Sequence, residues 1–171
     1  VIAISSRPDP QASYSPVSKS DVSAVSAKYP ALTKAFASGK AENVIAFFSP
    51  TATFRGYFRA QNGKVLTGNQ PFATYKTSVE MQMKGALPPK HDYAIEIVSM
   101  KGDLIEARVW VHSIVYFQER SLSGVPGSAE GYGGLIHTWR KMGGQLVISD
   151  EKNAEVGYEE SAIKFKKFGG R

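Results

Sequence analysis

The 171-residue sequence has no cysteine. Disulfides, thiolate nucleophiles and cysteine-held metals are therefore excluded. No apolar run approaches the ~18–20 residues of a membrane span, so a soluble chain is expected, cytoplasmic or secreted after processing. The chain opens at Val1 rather than Met, as a processed or trimmed chain does. No Asn-x-Ser/Thr sequon occurs, so nothing favours a glycoprotein. There is no Gly-rich phosphate loop and no serine in a nucleophile-elbow context. No close His/Asp/Glu spacing is present, so neither a metal nor any other cofactor is expected. The net charge is +6, but no helical stripe of Lys and Arg is interleaved with aromatics, which argues against nucleic acid.

What is present suits one domain, with 42% hydrophobic residues to build a core. Residues 1–19 are rich in Ser and Pro without apolar periodicity and read as an extended or disordered arm. Val22, Val25, Tyr29, Leu32 and Phe36 then recur at helical steps, with Pro30 as a kink or a restart and Gly39 as the stop. A short helix follows at about 41–48. Thr51 to Phe58 alternates as a strand, and Gln61-Asn62-Gly63-Lys64 turns it into a short partner. Phe72, Tyr75, Val79 and Met83 mark a third helix. From His91 the pattern is β throughout, with long strands over 104–118 and 131–151 that turn at Met142-Gly143-Gly144. Helices early and strands late predict an α+β fold, the helices lying on one face of a bent antiparallel sheet. Residues 154–171 are read as a basic tail. Lys164, Lys166, Lys167 and Arg171 carry no neighbouring acid after 161, so a solvated, frayed terminus is expected.

Residues 36–54, FASGKAENVIAFFSPTATF, and 137–149, HTWRKMGGQLVIS, resemble the nuclear-transport-factor-2-like superfamily, specifically its SnoaL-like branch. The first stretch is similar to that family's helix, glycine break, second helix and first strand. The second is similar to its closing hairpin. The resemblance spans residues 20–153. It implies a cone with a pocket between helices and sheet, a small apolar ligand, and a homodimer through the outer sheet face. Members include polyketide cyclases, ketosteroid isomerases and dehydratases, along with proteins that only bind. The isomerase-like members carry an aspartate near the first strand. Here that strand holds Arg55 and Tyr57 and no acid, which counts against steroid-isomerase chemistry.

If the chain is an enzyme, the resemblance implies cofactor-independent cyclisation, isomerisation or dehydration of a polyketide- or terpenoid-like substrate. His137 and Asp150 are then the candidate proton acceptors. Arg55, Tyr57 and Tyr132 would orient or polarise a carbonyl, and Trp139, on the face of His137, would contact substrate. Closing the loop at 119–129 symmetrically sets Val111 near His137 and His112 near Ile136, so the two histidines face opposite sides. The face carrying Arg108, Trp110, His112 and Tyr116 suits a dimer interface, since Trp, Tyr and Arg anchor such surfaces. His91 is expected to be exposed. The alternative reading is a non-catalytic ligand-binding or dimeric interaction module.

Overall fold

The computed structural model describes residues 14–59, 65–120 and 124–170. The turn expected at 61–64 lies outside them. Among the described residues the order is β1 (Tyr14–Ser15), α1 (Lys19–Ala37), α2 (Ala41–Ile45), β2 (Phe48–Arg59), β3 (Val65–Pro71), α3 (Phe72–Met83), β4 (Lys90–Lys101), β5 (Leu104–Arg120), β6 (Pro126–Met142), β7 (Gln145–Asn153) and α4 (Tyr158–Lys167). The strands form one strongly curved sheet in the order β3-β2-β7-β6-β5-β4, with β1 added to β6. The β2–β7 pairing is parallel and the others are antiparallel. The fold is the α+β cone expected from the pattern.

Local chemistry sets the helix ends. Asp21 in the first turn of α1 accepts the Ser18 backbone N–H at 2.7 Å, and that bond holds its carboxyl below the usual range. Pro30 does not split the helix, which runs through it. Gly39, at φ +70°, ends it in the left-handed conformation that a side chain would resist.

The apolar stripe of α1 (Val25, Tyr29, Leu32, Phe36) packs on Ile105, Ala107 and Val109 of β5 and on Trp139 and Ile148, all buried. Val44 of α2 and Val79 of α3 complete this core on the concave side. Alternation along β5 decides which face is which, because successive side chains point to opposite sides of a strand.

The C-terminal segment differs from expectation: it is a helix and packs on the convex face. Phe165 is 1% exposed against Trp110 and Ala94. Glu159 and Glu160 occupy the first turn of α4, and Lys164, Lys166 and Lys167 the last, each end complementing the helix dipole. The lysines that read as a charged tail are thus a helix terminus. Gly169, at φ +93°, closes it: its N–H donates to Lys166 C=O at 3.3 Å, and the Gly170 N–H to Phe165 C=O at 2.8 Å.

Candidate functional site

Two register details decide which side chains meet on the concave face. From the Met142↔Gln145 pair the β6–β7 ladder runs regularly to Trp139↔Ile148. Continued without interruption it would place Asp150 opposite His137. A bulge between Thr138 and Trp139 inserts Ser149, so Thr138 pairs Asp150 and His137 pairs Glu151. Asp150 therefore turns to the convex side, where its carboxylate accepts from Thr53 Oγ1 at 2.6 Å and meets Arg55 at 3.4 Å. Asp150 and Arg55 both leave the candidate site on this ground. Arg55 is 55% exposed.

Glu151 takes the concave position, between His137 on β6 and Phe54 on β2. Sequence reasoning missed it. The usable signal was parity, since an acid on the His137 face must lie across from it, but the bulge reverses which acid that is.

His137 is 0% exposed and held at both nitrogens. Tyr29 Oη lies 2.9 Å from Nδ1, and Glu151 Oε1 lies 2.8 Å from Nε2. Trp139 Nε1 donates to Tyr29 Oη at 3.0 Å. These bonds have one economical orientation. An indole N–H can only donate, so the phenol oxygen accepts it. The buried phenol proton needs an acceptor, which is His137 Nδ1. The imidazole then donates from Nε2 to Glu151. The relay runs Trp139 to Tyr29 to His137 to Glu151.

Glu151 remains 16% exposed at its side chain. Its second oxygen has no hydrogen bond among the described residues, and neither do the hydroxyls of Tyr75 and Tyr93. Burial pushes the phenols of Tyr29, Tyr75 and Tyr93 well above their usual range, and the Glu151 charge adds to the shift in each. All three phenols are neutral; the Tyr29 proton is committed to His137, and those of Tyr75 and Tyr93 are not. Tyr75 stacks on Phe54 with centroids 4.0 Å apart, and Tyr93 packs on Tyr29 at 5.4 Å.

Beyond this cluster the concave face opens. Val111, Ser113, Gly131, Gly133, Leu135 and Asn153, joined by Tyr132, Gly134, Ala154 and Val156 from the other face, line a recess of about 350 Å³ at the sheet edge where β7 ends and β6 continues. Further out, Val115 and Phe117 face α3 across an open groove of about 1150 Å³, with Thr77, Met81 and Gln82 on its other wall.

The remaining sequence candidates lie elsewhere. Trp139 is 0% exposed within the core and bonds Tyr29, so it cannot touch a ligand directly. Tyr132 sits on the convex face against His112, Tyr158 and Phe165. For Tyr57 only the backbone, in β2, belongs to the description. The β5–β6 register is four residues from the symmetric expectation. His112 pairs Tyr132, and Ala107 pairs His137: the Arg120↔Pro126 pair accounts for two residues of the difference, and an irregularity between Tyr116 and Arg120 for the other two. The two histidines do face opposite sides.

The expected dimer face is covered by the chain's own α4. Trp110 is 2% exposed beneath Phe165, and its indole donates to Glu96 at 3.3 Å. His112 Nε2 lies 2.6 Å from Glu130 Oε1, and its Nδ1 is buried without a partner. Arg108 approaches Glu96 at 3.9 Å, and Tyr116 is half-buried further along β5. His91 is also unlike its expectation: it is half-buried, packed on Phe36 with centroids 4.0 Å apart.

No protein-family profile matches the sequence, and no curated protein matches it. Solved structures do match in fold. A domain of unknown function with a cystatin-like fold from Nostoc punctiforme is 18% identical, with a TM-score of 0.57 over 88% of this chain and 86% of the other. A proposed aromatic ring hydroxylase from Novosphingobium aromaticivorans is 14% identical, with a TM-score of 0.58 over 80% and 90%. An Rd1NTF2 chain is 9% identical, with a TM-score of 0.51 over 78% and 99%. The fold is thereby the nuclear-transport-factor-2-like cone. No helix among the described residues is long and apolar enough to cross a membrane.

Proposed function

We propose that this chain is a SnoaL-like small-molecule protein that performs cofactor-independent acid–base chemistry, with Glu151 as the proton acceptor. The observation that carries the reading is the partly exposed Glu151 carboxylate. One oxygen is fixed by His137, and the other lacks a hydrogen-bond partner among the described residues, while the buried phenols of Tyr75 and Tyr93 feel the same charge. A carboxylate in such surroundings has the composition of a general base.

In the reaction, the free Glu151 oxygen removes a proton from carbon next to a carbonyl. Tyr75 and Tyr93, kept protonated by burial, donate to the oxygen on which charge develops. His137 touches no substrate. It is a positioning residue that holds the carboxylate, as Tyr29 and Trp139 hold it in turn. Re-protonation at another carbon gives isomerisation, loss of a hydroxyl gives dehydration, and attack by the enolate gives cyclisation.

The ligand is small and largely apolar, in keeping with Val111, Leu135, Val115 and Phe117 on the open part of the concave face. The like-folded neighbour named for chemistry on an aromatic ring agrees with that class. A panel of cyclic ketones and enones incubated in deuterium oxide tests the reading. Deuterium should enter the α-carbon with the wild-type chain, and about 100-fold more slowly with Glu151→Gln. His137→Gln should slow exchange while shifting its pH profile. Equal exchange with wild type and Glu151→Gln across the panel would count against Glu151 as the base.

A further inference from the structure

A second polar constellation lies on the same concave face, away from Glu151. His91 on β4 pairs Ser113 on β5 across the ladder. The His91 Nδ1 lies 2.8 Å from Ser113 Oγ, and its Nε2 lies 2.9 Å from Gln82 Oε1 on α3. A carboxamide oxygen can only accept, so the imidazole proton sits on Nε2. Nδ1 then presents its lone pair, and the Ser113 hydroxyl donates to it. Thr33 Oγ1 of α1 fixes the backbone beneath by donating to His91 C=O at 2.6 Å, and Phe36 packs on the ring. Hydroxyl, imidazole and carboxamide thus form a nucleophile, a base and an orienting group, each within hydrogen-bond reach of the next.

We propose that Ser113 is an activated nucleophile for acyl transfer from a small ester, with His91 as its base and Gln82 as the residue that orients the imidazole. Ser113 lines the recess of about 350 Å³, which has room for a short acyl group because Gly131 and Gly133 contribute no side chain to it. In the step, Ser113 Oγ bonds to the carbonyl carbon while its proton passes to His91 Nδ1. The bond to the leaving alcohol oxygen breaks, and that oxygen takes the proton. Water, deprotonated by His91, then attacks the acyl-serine, and the acid leaves as Ser113 recovers its proton.

The surroundings also set the pace. His91 is in its base form near pH 7, because burial lowers it to about 4. Among the described residues, the imidazolium formed in the step is stabilised by the Gln82 amide dipole and by no carboxylate. The reaction is slow, and a carboxylate in place of Gln82 should speed it.

The test treats the full chain with a fluorophosphonate and maps the adduct by peptide mass spectrometry, alongside p-nitrophenyl acetate hydrolysis. One adduct is expected, on Ser113, and it should be absent in Ser113→Ala. His91→Gln should label about 100-fold more slowly, and Gln82→Glu several-fold faster. Circular dichroism confirms the fold of each variant. No adduct on Ser113 in folded wild-type protein overturns the proposal, and so does labelling at the same rate in His91→Gln. Hydrolysis that survives Ser113→Ala also overturns it.

Discussion

The environment of His91 makes a quantitative prediction about stability and pH. Its imidazole packs on Phe36 and bonds two neutral groups, Ser113 and Gln82, so no charge faces it to favour protonation. Burial lowers its pKa from 6.5 to about 4. Above pH 6.5 the ring is neutral in both folded and unfolded chains, and protonation costs nothing. As pH falls from 6.5 towards 4 the unfolded chain takes up a proton that the folded chain refuses, so stability is lost. The difference of about 2.5 units, at 1.36 kcal/mol each, corresponds to about 3 kcal/mol once both states are titrated. Carboxylates titrate over part of this range too, so the comparison with His91→Gln isolates the effect. Urea unfolding at pH 7 and at pH 4 should show wild type losing about 3 kcal/mol more than the variant, without a change in denaturant slope. Equal losses in the two proteins would refute the buried, uncharged environment and, with it, the basis for a neutral base beside Ser113.

Other substitutions report on the remaining layers. Tyr29→Phe removes the acceptor of Trp139 Nε1 and the donor to His137 Nδ1, leaving two buried groups unpaired; urea unfolding should show a loss of about 2 kcal/mol or more. Phe165→Ala should cost about 3–5 kcal/mol and expose Trp110, which is read as a red shift in tryptophan fluorescence. If size-exclusion chromatography then shows a dimer, the outer sheet face is self-associating once α4 is loosened. Gly134→Ala would put a methyl 2.7 Å from the Trp110 ring and 2.9 Å from Ala154, and should lower stability by about 1–3 kcal/mol.

How much of this was legible in the sequence depended on period and register. Element order followed from spacing, because Val25, Tyr29, Leu32 and Phe36 can share a face only on a helix, and the alternation along 104–118 only on a strand. Gly39 stops α1 for a reason visible in composition, a conformation that suits glycine. The site was less legible. His137 could be placed on the inner face by parity, but its acid partner could not. The inserted Ser149 exchanges Asp150 for Glu151, and nothing in the residue types announces a bulge there. Charge masks the C-terminal helix in the sequence. Lys164, Lys166 and Lys167 stand out over Phe165 and Phe168, yet Phe165 fixes the segment to Trp110. His91 was misread in a similar way. A strand start beside Pro89 suggests exposure, whereas the packing is set by Phe36, which lies far away in sequence.

The most direct test of the central claim is high-resolution mass spectrometry of small molecules released from the purified wild-type chain and from Glu151→Gln prepared in parallel. The account predicts that the variant retains an apolar carbonyl compound in unreacted form. The wild type should hold less of it, or an isomer, a cyclised form or the product of water loss. The same molecule in the same amount and form from both proteins would contradict Glu151 as the proton acceptor.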